Sequence, residues 1–221
     1  MRMWPGWRGL AAAILLLAVS GAPERALAHP HVWVTAKAEV VFEGGKIAAV
    51  QHHWTFDEFY TAMAIVGLDK NGDGIYSREE LAELAKVNMQ GLSEFEFFTF
   101  ATLDKAKVEF APPVDAWLEH KDGVLTLHYR LPLKTPIPAA TPGFSFAVYD
   151  PSYFIAFELA KGEAVGMTGA PAGCKVTVGE AAEPAETADN KTLAGAFAEQ
   201  MPGGVFSGGT TKYAAVKCAK S

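Results

Sequence analysis

Cysteine, catalytic motifs and positive charge are all in short supply in this chain. Its 221 residues hold two cysteines, Cys174 and Cys218. An even pair in a chain with an export leader predicts one disulfide, tying the C-terminus back to the last third; the alternative is a two-thiol metal site. Hydrophobic residues make up 50% of the composition, ample for a core, so folding does not hinge on that bond. Lysine and arginine number 19 against 25 aspartates and glutamates, a formal net charge of −6. A field of that sign excludes attraction to nucleic acid or anionic lipid and suits cations. There is no Gly-x-Ser-x-Gly, no His-Glu-x-x-His and no phosphate loop. No nucleophile has an evident base, so the chain reads as a non-enzyme. No internal repeat occurs, and the one long apolar run, Gly9–Val19, is too short to span a bilayer comfortably.

That run follows Arg2 and Arg8 and precedes Ala26-Leu27-Ala28. A basic start, an apolar stretch and an Ala-x-Ala site make a secretory signal peptide over residues 1–28, cleaved before His29. The expected mature chain, 29–221, is periplasmic, has no membrane insertion of its own, and is more acidic still. It fits a single β-rich domain.

The most specific motif is Asp69-Lys-Asn71-Gly-Asp73-Gly74-Ile75-Tyr76-Ser77-Arg-Glu79-Glu80. It reads as an EF-hand calcium loop. Asp69, Asn71 and Asp73 supply oxygens at positions 1, 3 and 5, and Gly74 makes the sharp turn. Ile75 offers its carbonyl, Ser77 binds directly or through water, and Glu80 closes the shell with two oxygens. Tyr76 departs from the small aliphatic residue usual at position 8. Asp57, a helix N-cap, opens a helix expected over Glu58–Leu68, with apolar Phe59, Met63 and Val66. A second is expected from Arg78 to about Met89, with Leu81, Leu84, Ala85 and Asn88 on one face. The EF-hand insertion thus covers about 57–90.

Around it the pattern is strand-like. Residues 31–42 and 47–56 flank a Gly44-Gly45 turn. Strands are then expected over Glu94–Thr102, Lys107–Phe110, Val114–His120, Val124–Leu133, Phe144–Tyr149, Tyr153–Ala160, Lys175–Val178 and Tyr213–Lys217. Residues 179–190 read as an acidic loop and Thr192–Gln200 as a short helix. The fold class is α+β: a mainly antiparallel, sandwich-like β domain with an inserted EF-hand helix–loop–helix.

The chain has six histidines, all in or beside expected strands. His29 and His31 share a face of the first strand. Counting from the turn sets His52 opposite Lys37, with His53 on the other face, while His120 and His128 lie on a later hairpin. His29, His31, His52, His53 and His128 form a candidate transition-metal cluster, since imidazole suits Ni2+, Co2+, Zn2+ or Cu2+. If His29 is the mature N-terminus, its amine and ring give a second option, a copper histidine brace of an oxidase.

The phrases His29-Pro30-His31-Val32-Trp33-Val34 and His52-His53-Trp54-Thr55-Phe56-Asp57-Glu58 occur with the Asp69–Glu80 loop. Further on come Leu84-Ala85-Lys86-Val87-Asn88, Leu125-Thr126-Leu127-His128-Tyr129 with Leu131-Pro132-Leu133, and Val148-Tyr149-Asp150-Pro151-Ser152-Tyr153-Phe154. Together these resemble the DUF1007 family of exported bacterial proteins, over nearly all of the mature chain. That family is described as the periplasmic component of an uncharacterised ABC-type transport system, and its members look to be encoded near nickel/cobalt-type membrane transporters. The resemblance implies an accessory to such a transporter. The resulting expectation is a periplasmic Ca2+-binding accessory protein that handles nickel, cobalt or zinc through its histidines. The alternatives are a calcium-stabilised protein-interaction module and the copper oxidase.

Overall fold

A computed structural model describes residues 30–152, 154–182 and 210–219. The leader, His29, the acidic stretch after residue 182 and the expected helix Thr192–Gln200 lie outside the described residues. The strands are β1 (Val32–Glu43), β2 (Lys46–Phe56), β3 (Thr99–Leu103), β4 (Ala106–Val108), β5 (Val114–Lys121), β6 (Val124–Pro138), β7 (Phe144–Val148), β8 (Ile155–Leu159), β9 (Val165–Thr168), β10 (Cys174–Ala182) and β11 (Thr210–Cys218). The helices are α1 (Glu58–Ala64) and α2 (Ala82–Ser93). The fold is α+β, mostly strand, and its strands form two sheets. One runs β5-β6-β2-β1-β8 with β9 also on β1, and the other runs β10-β11-β7-β3-β4.

Two tight turns set the first sheet. Gly44 (φ +55°) and Gly45 (φ +74°) close β1 on β2, and Asp122 (φ +53°) and Gly123 (φ +81°) close β5 on β6. Positive φ at both central residues gives the turn twist that matches paired strands. β1 alternates buried and exposed along its length. Its inner face meets two different partners. Val40, Phe42, Ile47 and Val50 pack with Phe144, Phe146, Ala214 and Val216 of the second sheet. Val34, Ala36, Trp54, Leu118, Leu125, Leu127 and Tyr129 pack with Leu81 and Ala85, under the helices. β6 is long enough to serve both cores, through Leu127 in one and Ile137 in the other.

Three features differ from the sequence expectation. First, the β1–β2 pairing slips by one at Val41/Phe42, because Ala48 is an extra residue on β2. His53 therefore faces Lys37, and His52 faces Ala38. Second, not all pairing is antiparallel: β8 runs parallel to β1 at Val32–Ala36, and β9 runs parallel at Ala38–Val41. Two short strands cover one long edge that would otherwise stay open to pairing. Third, no strand begins at Glu94. α2 runs on to Ser93, and Glu96, Phe97 and Phe98 take left-handed φ of +52°, +55° and +46°. Such backbone costs roughly 1–2 kcal/mol per non-glycine residue. Burial of the Phe97 and Phe98 side chains offsets it.

The helices also start and stop elsewhere. Asp57 caps α1 as expected: its Oδ1 accepts from Tyr60 N–H at 2.8 Å and its Oδ2 from Trp33 N–H at 2.8 Å. α1 ends at Ala64, not Leu68, and Gly67 turns the chain at φ +75°. Phe59 and Met63 of α1, and Val66 beyond its end, point outward, 70%, 60% and 77% exposed. The inward anchor is Thr61, whose Oγ1 accepts from Leu125 N–H at 3.0 Å. α2 starts at Ala82 rather than Arg78 and does turn Leu81, Leu84 and Ala85 to the sheet.

Candidate functional site

Between the helices, residues 69–80 fold back on their own backbone. Asp69 Oδ2 accepts from Gly74 N–H at 2.9 Å and its Oδ1 from Gly72 N–H at 2.7 Å. Asn71 Oδ1 accepts from Asp73 N–H at 3.0 Å, and Asp73 Oδ1 accepts from Ile75 N–H at 2.7 Å. Glu80 crosses the loop. Its Oε1 accepts from Lys70 N–H at 2.9 Å, and its Oε2 from Ser77 N–H at 2.9 Å and from the Ser77 hydroxyl at 2.8 Å. Those Ser77 and Lys70 donors hold the Glu80 carboxyl down at about 2, from an ordinary 4.5. Gly72 and Gly74 sit at φ +73° and +78°, which only glycine takes without strain.

The donor set fits a hard cation. It is all oxygen, it includes the carboxylates of Asp69, Asp73 and Glu80, and an oxygen that accepts one N–H keeps a further lone pair. As placed, the carboxylates address backbone N–H groups. Among the described residues no three His, Cys, Asp or Glu side chains form a group that could hold a metal.

The loop docks on the sheet through two side chains. Tyr76 meets His120 edge-on, with ring centroids 4.7 Å apart. The Arg78 guanidinium lies 4.0 Å from the Trp117 ring centroid. Trp117 in turn stacks on His128 at 4.1 Å and 14° between ring planes. His128 Nδ1 stands 2.6 Å from His53 Nδ1, so one nitrogen donates to the other. Glu119 Oε2 is 3.7 Å from His128 Nε2. Trp117, Glu119, His128 and His53 occupy the outer face of the first sheet, where Trp117 pairs with His128, His128 with His53 and His53 with Lys37 in one cross-strand row. Burial lowers the His53 pKa, with Glu39 opposing and Lys37 adding. Burial also lowers that of His128; the His53 and Arg78 charges add to it and Glu119 opposes.

The remaining histidines do not join them. His31 lies against Phe154, with ring centroids 4.9 Å apart. His52 is wholly buried on the inner face, stacked on Tyr129 at 4.8 Å. Its Nε2 is 3.4 Å from Thr99 Oγ1, and burial drives its pKa from 6.5 to about 3. His29 is outside the described residues. Of the five-histidine candidate cluster, the fold brings together His53 and His128. Their spacing is a hydrogen bond; imidazoles on one tetrahedral ion stand farther apart, so a metal here requires the rings to part.

The sequence alone assigns no site role to Arg78, Trp117 or Glu119. Part of the signal was there. Counting back from the Asp122-Gly123 turn sets Trp117 opposite His128 and Glu119 opposite Thr126, as observed. Elsewhere, Cys174 and Cys218 form the expected disulfide across β10 and β11. Asp150 sets a turn, accepting from Ser152 N–H and Ile155 N–H at 2.8 and 2.9 Å. Among the described residues no helix is long and apolar enough to cross a membrane.

A protein-family model described as "Protein of unknown function (DUF1007)" matches residues 13–216. A Haemophilus influenzae (strain ATCC 51907 / DSM 11121 / KW20 / Rd) protein described as "Uncharacterized protein" is 24% identical over 150 residues, 67% of this chain and 71% of its own length. The "Uncharacterized 15.5 kDa protein in trpE 3'region" of Spirochaeta aurantia is 31% identical over 86 residues, 39% of this chain and 61% of its own.

Proposed function

The chain belongs to the DUF1007 family, and from that membership and the Asp69–Glu80 loop we propose that it is a periplasmic, calcium-binding accessory protein of a membrane transport system. The observation that supports calcium most is the tie between the first and sixth loop positions, Asp69 Oδ2 to Gly74 N–H, with Glu80 reaching back from the twelfth. This is the closure an EF-hand needs. Asp69, Asn71, Asp73, Ser77, Glu80 and the Ile75 carbonyl would hold the ion, which would draw in the carboxylates of Asp69, Asp73 and Glu80 and join α1 to α2. In that reading residues 57–90 are an EF-hand insertion, and calcium is a structural partner of weak affinity, Kd on the order of 10⁻⁴–10⁻³ M, as suits extracellular modules.

The cargo in this proposal is a transition metal, nickel, cobalt or zinc, taken by His53 and His128 on the open sheet face with Glu119 beside them. The partner is an ABC-type or nickel/cobalt-type membrane transporter, as the family resemblance implies. What favours this pair over the other histidines is contact between strands far apart in sequence, half-buried beside a carboxylate.

The loop is tested by thermal unfolding in calcium-free buffer and in excess calcium. Stabilisation of about 2.7 kcal/mol is expected at a hundred times the Kd. Glu80→Gln should remove most of the response, since it deletes a charge and a bidentate ligand. Equal midpoints in both buffers would sink the calcium reading.

A further inference from the structure

Between α2 and β5 a groove of about 420 Å³ opens at the margin of the first sheet, a size that suits a small ligand. β5 ends that sheet, so its far side carries no strand among the described residues. The floor of the groove is apolar. Ala85 and Leu118 are buried in it, and Ala82 leaves space above them because its side chain is one methyl. The α2 wall is cationic. Arg78, Ala82, Ala85 and Lys86 line it at the spacing of a single helical face. Lys86 stands 3.5 Å from Glu83 in an exposed pair, which is worth little. Among the described residues no carboxylate forms an ion pair with Arg78. Its guanidinium rests on Trp117 at 4.0 Å, and stacking orients the plane without using its N–H edge. The β5 wall holds Asp115. Between the pairs Val114–Arg130 and Trp117–His128, β5 has one residue more than β6, and Asp115 takes φ +55° there. Such a bulge re-aims a side chain, and bulges concentrate at sheet edges and beside active sites.

We propose that the groove between α2 and β5 binds an amido carboxylate with an apolar side chain, the chemistry of a peptide's C-terminal residue or of an N-acyl amino acid. Each part of the lining has a counterpart in such a ligand. The carboxylate goes to the Arg78 fork, a bidentate acceptor for a planar pair of N–H donors, and Lys86 adds charge on the same wall. The apolar side chain covers Ala82, Ala85 and Leu118 and leaves water. Asp115 accepts the amide N–H on the opposite wall and repels a simple anion, which has no donor to offer it. A peptide has a further means of attachment, because its main chain can run along the open edge of β5. No metal enters this site, and it stands apart from the calcium and cargo readings above.

The test titrates the full exported chain with the tripeptide Ala-Ala-Leu and follows the indole N–H resonance of Trp117, assigned by its loss in Trp117→Phe. A saturable shift is expected. The same peptide with a C-terminal amide has the shape without the charge, and should bind about tenfold more weakly or worse, the value of a charge-assisted hydrogen bond. Arg78→Met keeps a stem on Trp117 and removes the fork. It should weaken the acid by a similar factor and leave the amide unchanged, which a merely structural role would not do. Ala82→Leu fills the groove at an exposed helix position and should weaken both. Sulfate at the same concentration should not displace the peptide. N-acetyl-leucine separates the sources: weaker binding than the tripeptide supports a peptide end, and equal binding supports a single acylated residue. The proposal is overturned if the tripeptide gives no saturable shift, if acid and amide bind alike, if sulfate competes as an adventitious anion would, or if Ala82→Leu binds as the parent does. Should Arg78→Met fail to fold, the acid–amide comparison in the parent and Ala82→Leu decide alone.

Discussion

His52 and His53 are neighbours in the chain with opposite environments, because side chains on a strand alternate between faces. His53 reaches the outer face and a hydrogen-bond partner, while His52 is wholly buried between Tyr129 and Trp54. The consequence for His52 is a proton that the folded chain refuses. Its pKa falls from 6.5 to about 3, chiefly through burial and then through the His53 charge. Between those values the unfolded chain takes up a proton and the folded chain does not, so acid favours unfolding. Stability from this group is complete above pH 6.5 and is lost as pH falls toward about 3. The steepest loss is about 1.4 kcal/mol per pH unit, the value for one proton. His52→Phe keeps a ring against Tyr129 and removes the titration. Urea unfolding at stepped pH should show a flatter profile for the variant through this window. Parallel profiles would mean that His52 is not the group that titrates.

At the scale of elements, the parts written in local sequence were legible and the parts set by distant pairing were not. The Gly44-Gly45 turn, the Asp57 cap and the Leu81–Ala85 face of α2 follow from a few adjacent residues, and each stands where the sequence puts it. The bulge on β2 is a partial case. Four consecutive buried residues, Ile47 to Val50, break the alternation, and that run marks the extra residue. The His53–His128 contact had no local signal, since β2 and β6 meet only through the completed sheet. α1 misled for a different reason. Its apolar stripe is real but faces outward, because α1 is anchored from its other side: Tyr60 and Ala64 pack on the core, and Thr61 Oγ1 accepts the N–H of Leu125 at the start of β6. Thr61 is 1% exposed, so deleting its hydroxyl strands a buried donor. Thr61→Val should cost about 1–3 kcal/mol, the penalty of an unsatisfied buried group. Thr61→Ser, which keeps the bond, should cost less. A denaturation midpoint unchanged by Thr61→Val would show that the helix is held by its apolar neighbours alone.

The whole molecule is two cores on one long sheet, and they have different means of support. The core under the helices includes Leu81 at the start of α2, and the loop docks beside it through Arg78 and Tyr76. The core between the sheets has the disulfide at its margin, where Cys174 and Cys218 pack with Val176 and Val216. That bond fits an exported chain, because the cytosol would keep both thiols reduced. It joins residues 44 apart in sequence, and closing a loop of that length restricts the unfolded chain by about 4 kcal/mol in the chain-entropy account. Reduction, or the double replacement of Cys174 and Cys218 by serine, should lower the thermal midpoint accordingly. The sharper expectation concerns the two supports together. In the proposed function calcium acts at one core and the disulfide at the other, and among the described residues only Phe110, Val148 and Leu159 pack against both, so their effects on unfolding free energy should add to within about 0.5 kcal/mol. Measuring the calcium increment in oxidised and reduced protein tests this directly. If reduction abolishes the increment, the long strands β1, β2 and β6 carry strain from one core to the other, and the loop cannot be treated as a separate support.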